Sequence, residues 1–280
     1  MKQQGMRLAG VDIEARSIGG IETCIQLPRM NVAFDIGRCP QSAVRQRTVL
    51  FTHSHIDHMG GITWHAATRG LQNLGAPTYV VPPENEEGIK ALFAAARVLD
   101  HSELAHHLVP LGPGGEHQLS KNFWVRPFRA LHVVPCQGYA IWERRKKLKP
   151  EYRSLGGDDI RRLRVEEGIE VTESAETPLV AFCGDTLIEV VEREEVVRRA
   201  KLLILECTFV DDRVSVEKCR RFGHIHLDEL VERASLFENE AILLTHFSAR
   251  YHARDIVEAL EKKLPASLQD RVVPLLNGHR

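Results

Sequence analysis

The sequence predicts an α/β fold in which β-sheets are covered by helices. Short β-branched runs bounded by Gly, Pro or Asn recur along both halves of the chain. Stretches with helical spacing of apolar residues lie between them. The 280 residues, 43% of them hydrophobic, suffice for one large core or two modest ones.

In the first half, "IETCIQLP", "MNVAFDIG", "TVLFTHSH" and "PTYVVPP" read as strands. "EEGIKALFAAARVLD" sets Ile89, Leu92, Phe93 and Ala96 at helical spacing. "FWVRPFRALHVVPCQGYAIWE" reads as a strand pair. In the second half "PLVAFCGDT", "KLLILECTFV" and "AILLTHFS" are strands, and each ends in Asp, in an acidic or hydroxyl group, or in His. "VEREEVVRRA" and "LDELVERASLFEN" are helical. The latter aligns Leu227, Leu230, Val231 and Ala234 on one face and has Asp228 and Glu229 in its first turn. "RDIVEALEKKL" is a last helix. No short-period repeat is present.

Residues 143–177 stand apart, with few apolar residues and no strong period. Residues 143–164 hold nine Lys or Arg against four Asp or Glu; residues 165–177 hold five Glu and no base. The bland expectation is a solvated loop with a little helix.

Composition removes several classes. Lys plus Arg number 37 against 38 Asp plus Glu, so bulk electrostatics does not wrap this chain in nucleic acid, although a local basic patch can still act. No apolar run has the length of a membrane span, and "MKQQGMRLAG" lacks the apolar centre of a signal peptide. Cys24, Cys39, Cys136, Cys183, Cys207 and Cys219 are scattered without a Cys-x-x-Cys, as buried thiols of a reducing compartment would be. A cytoplasmic protein is expected.

The chemistry concentrates in "VLFTHSHIDHMGG". A strand running into a loop can aim His53 and His55 at one ion, while Asp57 and His58 lie beyond it and can turn toward a second. Imidazole and carboxylate suit zinc and other borderline divalent ions.

His-x-His-x-Asp-His resembles the signature of the metallo-β-lactamase superfamily. "FDIG" at 34–37, His132 in "ALHVVPCQGYAI", Asp185 in "AFCGDT" and His246 in "LTHFSARY" extend the likeness along nearly the whole chain. The wording of these segments, with "LLILECTF", is most similar to the ribonuclease Z branch. The resemblance implies one αββα domain over 1–280, two mixed β-sheets packed face to face with helices outside and residues 143–177 as an inserted polar arm. It implies two divalent ions, zinc first and manganese as the alternative. His53, His55, His132 and Asp185 would hold one; Asp57, His58, Asp185 and His246 the other. Asp57 and His224 stand as the catalytic residues, His224 in "FGHIHLDELV" being the proton donor to the leaving oxygen. Glu206 in "LECTF" would orient a histidine by hydrogen bonding, or else cap a strand or helix. His55 is intact where iron–oxygen members carry an acid, which favours hydrolysis.

There are departures. His226 falls on the branch's hydroxyl position and Ala249 on its proline. "GGITWHAATRG" replaces the usual Gly-Leu-Pro-Gly, so His65 and Arg69 are candidates for a different substrate wall. The arm lacks the branch's Gly-Pro-rich motif, yet Arg144, Arg145, Lys146 and Lys147 could meet phosphates. The expected activity is metal-dependent phosphodiester hydrolysis at RNA 3′ ends. The alternatives are a hydrolase of a small cyclic phosphodiester, lactone or thioester, and a non-catalytic binding protein. The expected partner is RNA or a small phosphodiester, with no membrane; a homodimer is left open.

Overall fold

The computed structural model describes residues 4–279. Its first sheet contains β1 (Gln4–Leu8), β2 (Val11–Ile18), β3 (Glu22–Leu27), β4 (Val32–Phe34), β5 (Thr48–Leu50), β6 (Thr78–Val81) and β7 (His107–Pro110), side by side in chain order. The second contains β8 (His117–Gln118), β9 (Phe123–Arg129), β10 (Gln137–Leu148), β11 (Thr172–Phe182), β12 (Leu202–Glu206), β13 (Ala241–Thr245) and β14 (Val272–Pro274), again in chain order. Each sheet has an antiparallel half and a parallel half: β1 to β4 and then β4 to β7, β8 to β11 and then β11 to β14.

Parallel neighbours require crossovers, and these supply the outer helices. Helices α1 (Ile56–Met59) and α2 (Ile62–Leu71) join β5 to β6, and α3 (Glu86–Asp100) joins β6 to β7. Helix α4 (Gly157–Val165) sits between β10 and β11. The pairs α5 (Glu189–Arg193) and α6 (Glu195–Arg199), α7 (Val216–Arg221) and α8 (Leu227–Glu232), and α9 (Ala253–Lys263) and α10 (Ala266–Gln269) link the later strands. None is long and apolar enough to cross a membrane.

The strand period of two divides the core. Leu202, Ile204 and Leu243 face Ile25, Phe34 and Leu50 between the sheets. Leu203, Leu205, Ile242 and Leu244 point outward under α5 to α9. Phe51, Tyr79, Ile89 and Phe93 form the layer beneath α2 and α3. The layering is αββα, as expected.

Some expectations change. The "VEREEVVRRA" helix breaks at Glu194, which is extended (φ −106°, ψ 102°). The "LDELVERASLFEN" helix ends at Glu232 and gives way to a 3₁₀ turn over Ala234–Leu236. In α3, Ile89 and Phe93 are buried but Leu92 is 42% exposed. Residues 143–177 are not a loop. The outer halves of β10 and β11 pair from Glu143↔Thr177 to Leu148↔Thr172, making a two-stranded ribbon capped by α4. Its β10 half carries five consecutive charges, Glu143 to Lys147, so hydrophobic periodicity could not register it.

Candidate metal centre

The expected ligand residues lie at the C-terminal ends of parallel strands, where an α/β sheet opens a crevice. Asp35 follows β4, His53 to His58 follow β5, Asp185 follows β11, and His246 follows β13. His132 comes from the β9–β10 connection and His224 from the turn between α7 and α8. Two tight approaches need glycine. Gly184 (φ +63°) would place a Cβ 2.7 Å from Thr52, and Gly223 (φ +77°) would place one 2.7 Å from the His132 ring. Asp35 and His246 themselves hold left-handed backbones at φ +53° and +61°, a cost of the kind concentrated at functional sites.

Two sets of donor atoms share Asp185. His53, His55, His132 and Asp185 form one; Asp57, His58 and His246 form the other, and Asp185 Oδ2 lies 3.4 Å from His58 Nε2 and 3.5 Å from His246 Nε2. Within the first set His55 Nδ1 is 3.1 Å from His53 Nε2 and 3.3 Å from His132 Nε2. Ligand atoms 2.0–2.2 Å from a tetrahedral zinc stand about 3.4 Å apart; the histidine nitrogens match this, and the carboxylate oxygens stand off His53, His132, His58 and His246 at up to 4.0 Å.

Tautomers make the argument sharper. Thr52 donates its hydroxyl proton to Asp35 (2.9 Å), so its oxygen can only accept from His53 Nδ1 (3.0 Å). His58 Nδ1 donates to Asp35 (2.8 Å). Thr208 donates to Glu206 (2.5 Å) and accepts from His246 Nδ1 (3.0 Å). His132 Nδ1 donates to the Gly223 carbonyl (2.9 Å). Each outer nitrogen thus carries the proton, leaving a lone pair on each Nε2 facing inward. His58 and His246 oppose such lone pairs at 3.4 Å, an arrangement that a cation between them satisfies and a hydrogen bond does not. The donor set fits metal ions.

The surroundings set the charges. Burial pushes His53 down to about 2, with like charge on His58 adding to it. Burial opposes protonation of His58, but Asp185 and Asp35 outweigh it and raise its pKa. Asp57 is held below the usual carboxylate range: burial works against this, and the hydrogen bond to His246 and the charge of His58 overcome it. Asp57 also accepts the Gly20 N–H (3.0 Å).

His224 lies beside the two sets, ring to ring with His132 and His246 at 5.2 Å. Its Nδ1 donates to Glu206 (2.9 Å), and its pKa rises to about 9: burial opposes this, but the Glu206 charge and hydrogen bond prevail. Glu206 caps no helix or strand; its bonds run to His224, to Thr208 and to loop backbone. It orients His224, and it accepts the Thr186 and Ile225 backbone N–H groups. His226 is a different kind of residue. Its Nδ1 accepts the Asp228 N–H at the start of α8, while Nε2 donates to the Asp211 carbonyl.

Other candidates lie elsewhere. His65 is buried on Tyr79 and the Ala43 carbonyl, and Arg69 is buried on the carbonyls of Val44, Gln46, Leu74 and Gly75. Neither forms a substrate wall; both tie loops to α2. Arg144, Arg145, Lys146 and Lys147 are in the ribbon, away from the donor sets. Arg144 pairs with Glu116 and Glu176, Arg145 with Glu143, and Lys146 with Glu170. The orienting hydroxyls of Thr52 and Thr208 were not anticipated. Their signal in the sequence is only position, one next to a ligand histidine and one two residues past Glu206.

Comparison with known proteins agrees with this geometry. Residues 34–247 match the β-lactamase superfamily domain. The chain is 46% identical over 279 residues to tRNase Z TRZ1 of Arabidopsis thaliana, covering 99% of each. It is 40% identical to the chloroplastic tRNase Z TRZ2 of the same plant, covering 100% of this chain and 79% of that one. Among solved structures, the short form of human tRNase Z (ELAC1) superposes with a TM-score of 0.59 at 20% identity, covering 85% of this chain and 93% of that one. The metallo-β-lactamase fold protein YhfI from Bacillus subtilis gives 0.60 at 14%, covering 92% of each.

Proposed function

This chain belongs to the ribonuclease Z branch of the metallo-β-lactamase superfamily, and from that premise we propose that it is a metal-dependent endonuclease cutting tRNA precursors at their 3′ ends. The observation that carries the reading is the pair of lone-pair clusters sharing Asp185, with a hydrogen-bonded imidazole beside them. We assign His53, His55, His132 and Asp185 to one divalent ion and Asp57, His58, Asp185 and His246 to the other. Zinc suits the imidazole-rich set, with manganese as the alternative. When bound, such a pair lowers the pKa of water and neutralises charge on a phosphoryl group.

The chain's own residues do the rest. Asp35 and Thr208 keep the ligand histidines in the tautomer whose Nε2 faces inward. Asp57, anchored by the Gly20 N–H, holds an acceptor at the reacting face. His224, steadied on Glu206, delivers a proton to the leaving 3′ oxygen of the RNA. His226 takes no part, being occupied as a cap. Residues 143–177 are the arm that reaches the body of the tRNA, and Lys147, Lys149, Arg161 and Arg164 are its bases without a salt bridge among the described residues.

The deciding experiment incubates metal-reconstituted protein with a tRNA precursor bearing a 3′ trailer, with bis-nitrophenyl phosphate and with a lactone. Cleavage of the precursor at the end of the acceptor stem is expected. Turnover of the lactone, or of the small diester with no RNA cleavage, refutes the RNA reading. Six unpaired cysteines support a reducing compartment, and we assign the cytoplasm; localisation of a tagged chain tests this. Ile56, Trp64 and Leu71, exposed on α1 and α2, support a homodimer, which sedimentation tests.

A further inference from the structure

A bulge lies at the base of the arm, and a ring of ion pairs spans it. In the β10–β11 pairing, Ile141 faces Val180 but Trp142 faces Pro178, so Leu179 is an extra residue and the ladder slips. A bulge bends a ribbon and ends strict pairing, and Pro178 donates no ladder hydrogen bond there. Past the bulge β10 stays paired with β9 as far as Glu143↔Phe123, and Arg144 N–H bonds the Asn122 carbonyl, whereas β11 has no strand partner in the body beyond Val180.

Four charges and two tryptophans span the bend. Arg144 and Glu176 face each other on the arm side. Arg126 in β9 and Glu116 just before β8 belong to the body. Arg126 grips Glu176 with both terminal nitrogens, at 2.9 and 3.0 Å, and reaches Glu116 through Nε at 3.1 Å. Arg144 bonds Glu116 at 2.5 Å and also bonds Glu176. The Arg144 guanidinium lies 4.0 Å over the Trp124 ring, and that of Arg126 lies 5.0 Å over Trp142. Trp142 in turn packs on the core beneath the outer helices. Every acid therefore has two arginines, every arginine two acids and an aromatic face, and each ion pair that crosses the bend joins arm to body.

A single exposed ion pair would do little. A closed ring of forked bonds on aromatic platforms is different, because each side chain is already ordered by its other partners. These four groups are also only about a quarter to a third exposed.

We infer that Glu116, Arg126, Arg144 and Glu176 are positioning residues that fix the angle of the 143–177 arm, so that it and the metal site engage one tRNA together. This rests on the RNA reading above. It also gives Arg144 a role other than phosphate contact: its Nε and one terminal nitrogen are engaged by carboxylates.

The sign of one substitution separates the two roles. Glu176→Gln removes a negative charge beside the arm. If the root acts only through charge, RNA should bind more tightly. If it acts as a lock, a loosened arm should raise KM for tRNA precursor roughly 5- to 30-fold, the factor that 1–2 kcal/mol of lost bias produces. Hydrolysis of bis-nitrophenyl phosphate, which needs no arm, should stay within twofold. Glu116→Gln should act in the same direction.

A second readout needs no RNA. Fluorophores carried on non-natural residues at positions 161, on α4, and 258, on α9, report the arm-to-body distance. The distribution should broaden in Glu176→Gln, with the melting temperature of the body unchanged. An unchanged distribution overturns the lock, and so does a broadened one with KM for tRNA precursor unchanged or lowered. If wild type fails to cut tRNA at all, the RNA reading falls, and the distance distribution alone judges whether the ring holds the arm.

Discussion

Asp35→Asn should empty the second metal position without touching a single ligand. The Asp35 carboxylate is fully buried and accepts three hydrogen bonds: Thr52 N–H at 2.9 Å, the Thr52 hydroxyl at 2.9 Å and His58 Nδ1 at 2.8 Å. Asparagine has the same shape but one acceptor oxygen. Kept on Thr52 N–H, that oxygen leaves an NH₂ donor facing the Nδ1 proton of His58. His58 relieves the clash by moving its proton to Nε2, the atom 3.4 Å from His246 and from Asp185. A protonated nitrogen cannot ligate. Losing such an orienting partner costs about 10- to 100-fold in metal affinity, or about 1.4–2.7 kcal/mol. Lost charged hydrogen bonds should cost the fold a further 1.5–3 kcal/mol, roughly. Competition against a chelator, titrated as two sites, measures the first quantity; urea unfolding of the metal-loaded and chelated protein measures the second. Thr52→Val is the control: it removes the acceptor of His53 Nδ1 and one hydrogen bond on Asp35 but leaves His58 Nδ1 on that carboxylate, so it should weaken chiefly the other site. Asp35→Asn with both affinities within twofold of wild type, and only stability lost, would refute the tautomer argument and leave Asp35 a residue of the fold.

Other expectations follow from the same geometry. His224→Ala should bind metal normally yet lose about 10²- to 10⁴-fold in rate on RNA, and much less on a nitrophenyl ester whose leaving group needs no proton; equal losses on both would mean that His224 positions substrate. Arg145→Glu with Lys146→Glu and Lys147→Glu should raise KM for tRNA precursor steeply and flatten its log–log salt dependence by about 0.7–0.9 per lost phosphate contact, an unchanged slope marking the ribbon as a solvated spacer. His65 gives a pH dependence: burial first, then Arg69, depress its pKa to about 4 against an ordinary value of 6.5. The unfolded chain therefore takes up the proton first, so this contribution is complete above pH 6.5 and falls by about 3 kcal/mol on going down to pH 4. Subtracting the pH slope of His65→Phe from that of wild type in denaturant melts isolates it, and identical slopes would discard it.

Residue types with few alternative uses were legible in the sequence; residues that work through position were not. Three histidines and an aspartate in six positions have little to do on a soluble strand end except bind metal, so that set was readable. Thr52 and Thr208 are as important to the tautomers, but threonine is common on strands and nothing in its type marks it. His65 and Arg69 show the converse error. Polar side chains beside the metal loop suggested a substrate wall, whereas their partners are backbone carbonyls of neighbouring loops, which no spacing rule exposes. In the fold, α3 was legible to the residue because Ile89 and Phe93 keep the helical period. Strand β2 was overlooked although Val11, Ile13 and Ala15 alternate with Asp12, Glu14 and Arg16; its charged half obscured its buried half. The ribbon was illegible for a related reason. Its register is held by backbone pairing and ion pairs, and neither leaves an apolar period.

The two halves of the molecule solve one problem twice, and where the solutions differ the chemistry divides. Each sheet supplies one buried carboxylate that accepts from histidine at the crevice without joining the donor sets, Asp35 after β4 and Glu206 at the end of β12. Each carboxylate accepts from one threonine, Thr52 or Thr208, whose oxygen then accepts from a histidine, His53 or His246. Each also accepts directly from a second histidine, His58 or His224. The pattern is the same, yet we assign His58 to the ligands and His224, which also lies within reach of Asp185 and His246, to proton transfer. Burial accounts for the difference. His58 is sealed between Asp35 and the facing lone pair of His246, so a cation is the natural partner for its unprotonated inner nitrogen. His224 keeps 16% of its side chain open to the crevice, so its second nitrogen can hold a proton where a leaving oxygen would arrive. Metal content separates the two roles: His224→Ala should keep two metal equivalents while RNA cleavage is lost, whereas loss of an equivalent would show that His224 is itself a ligand.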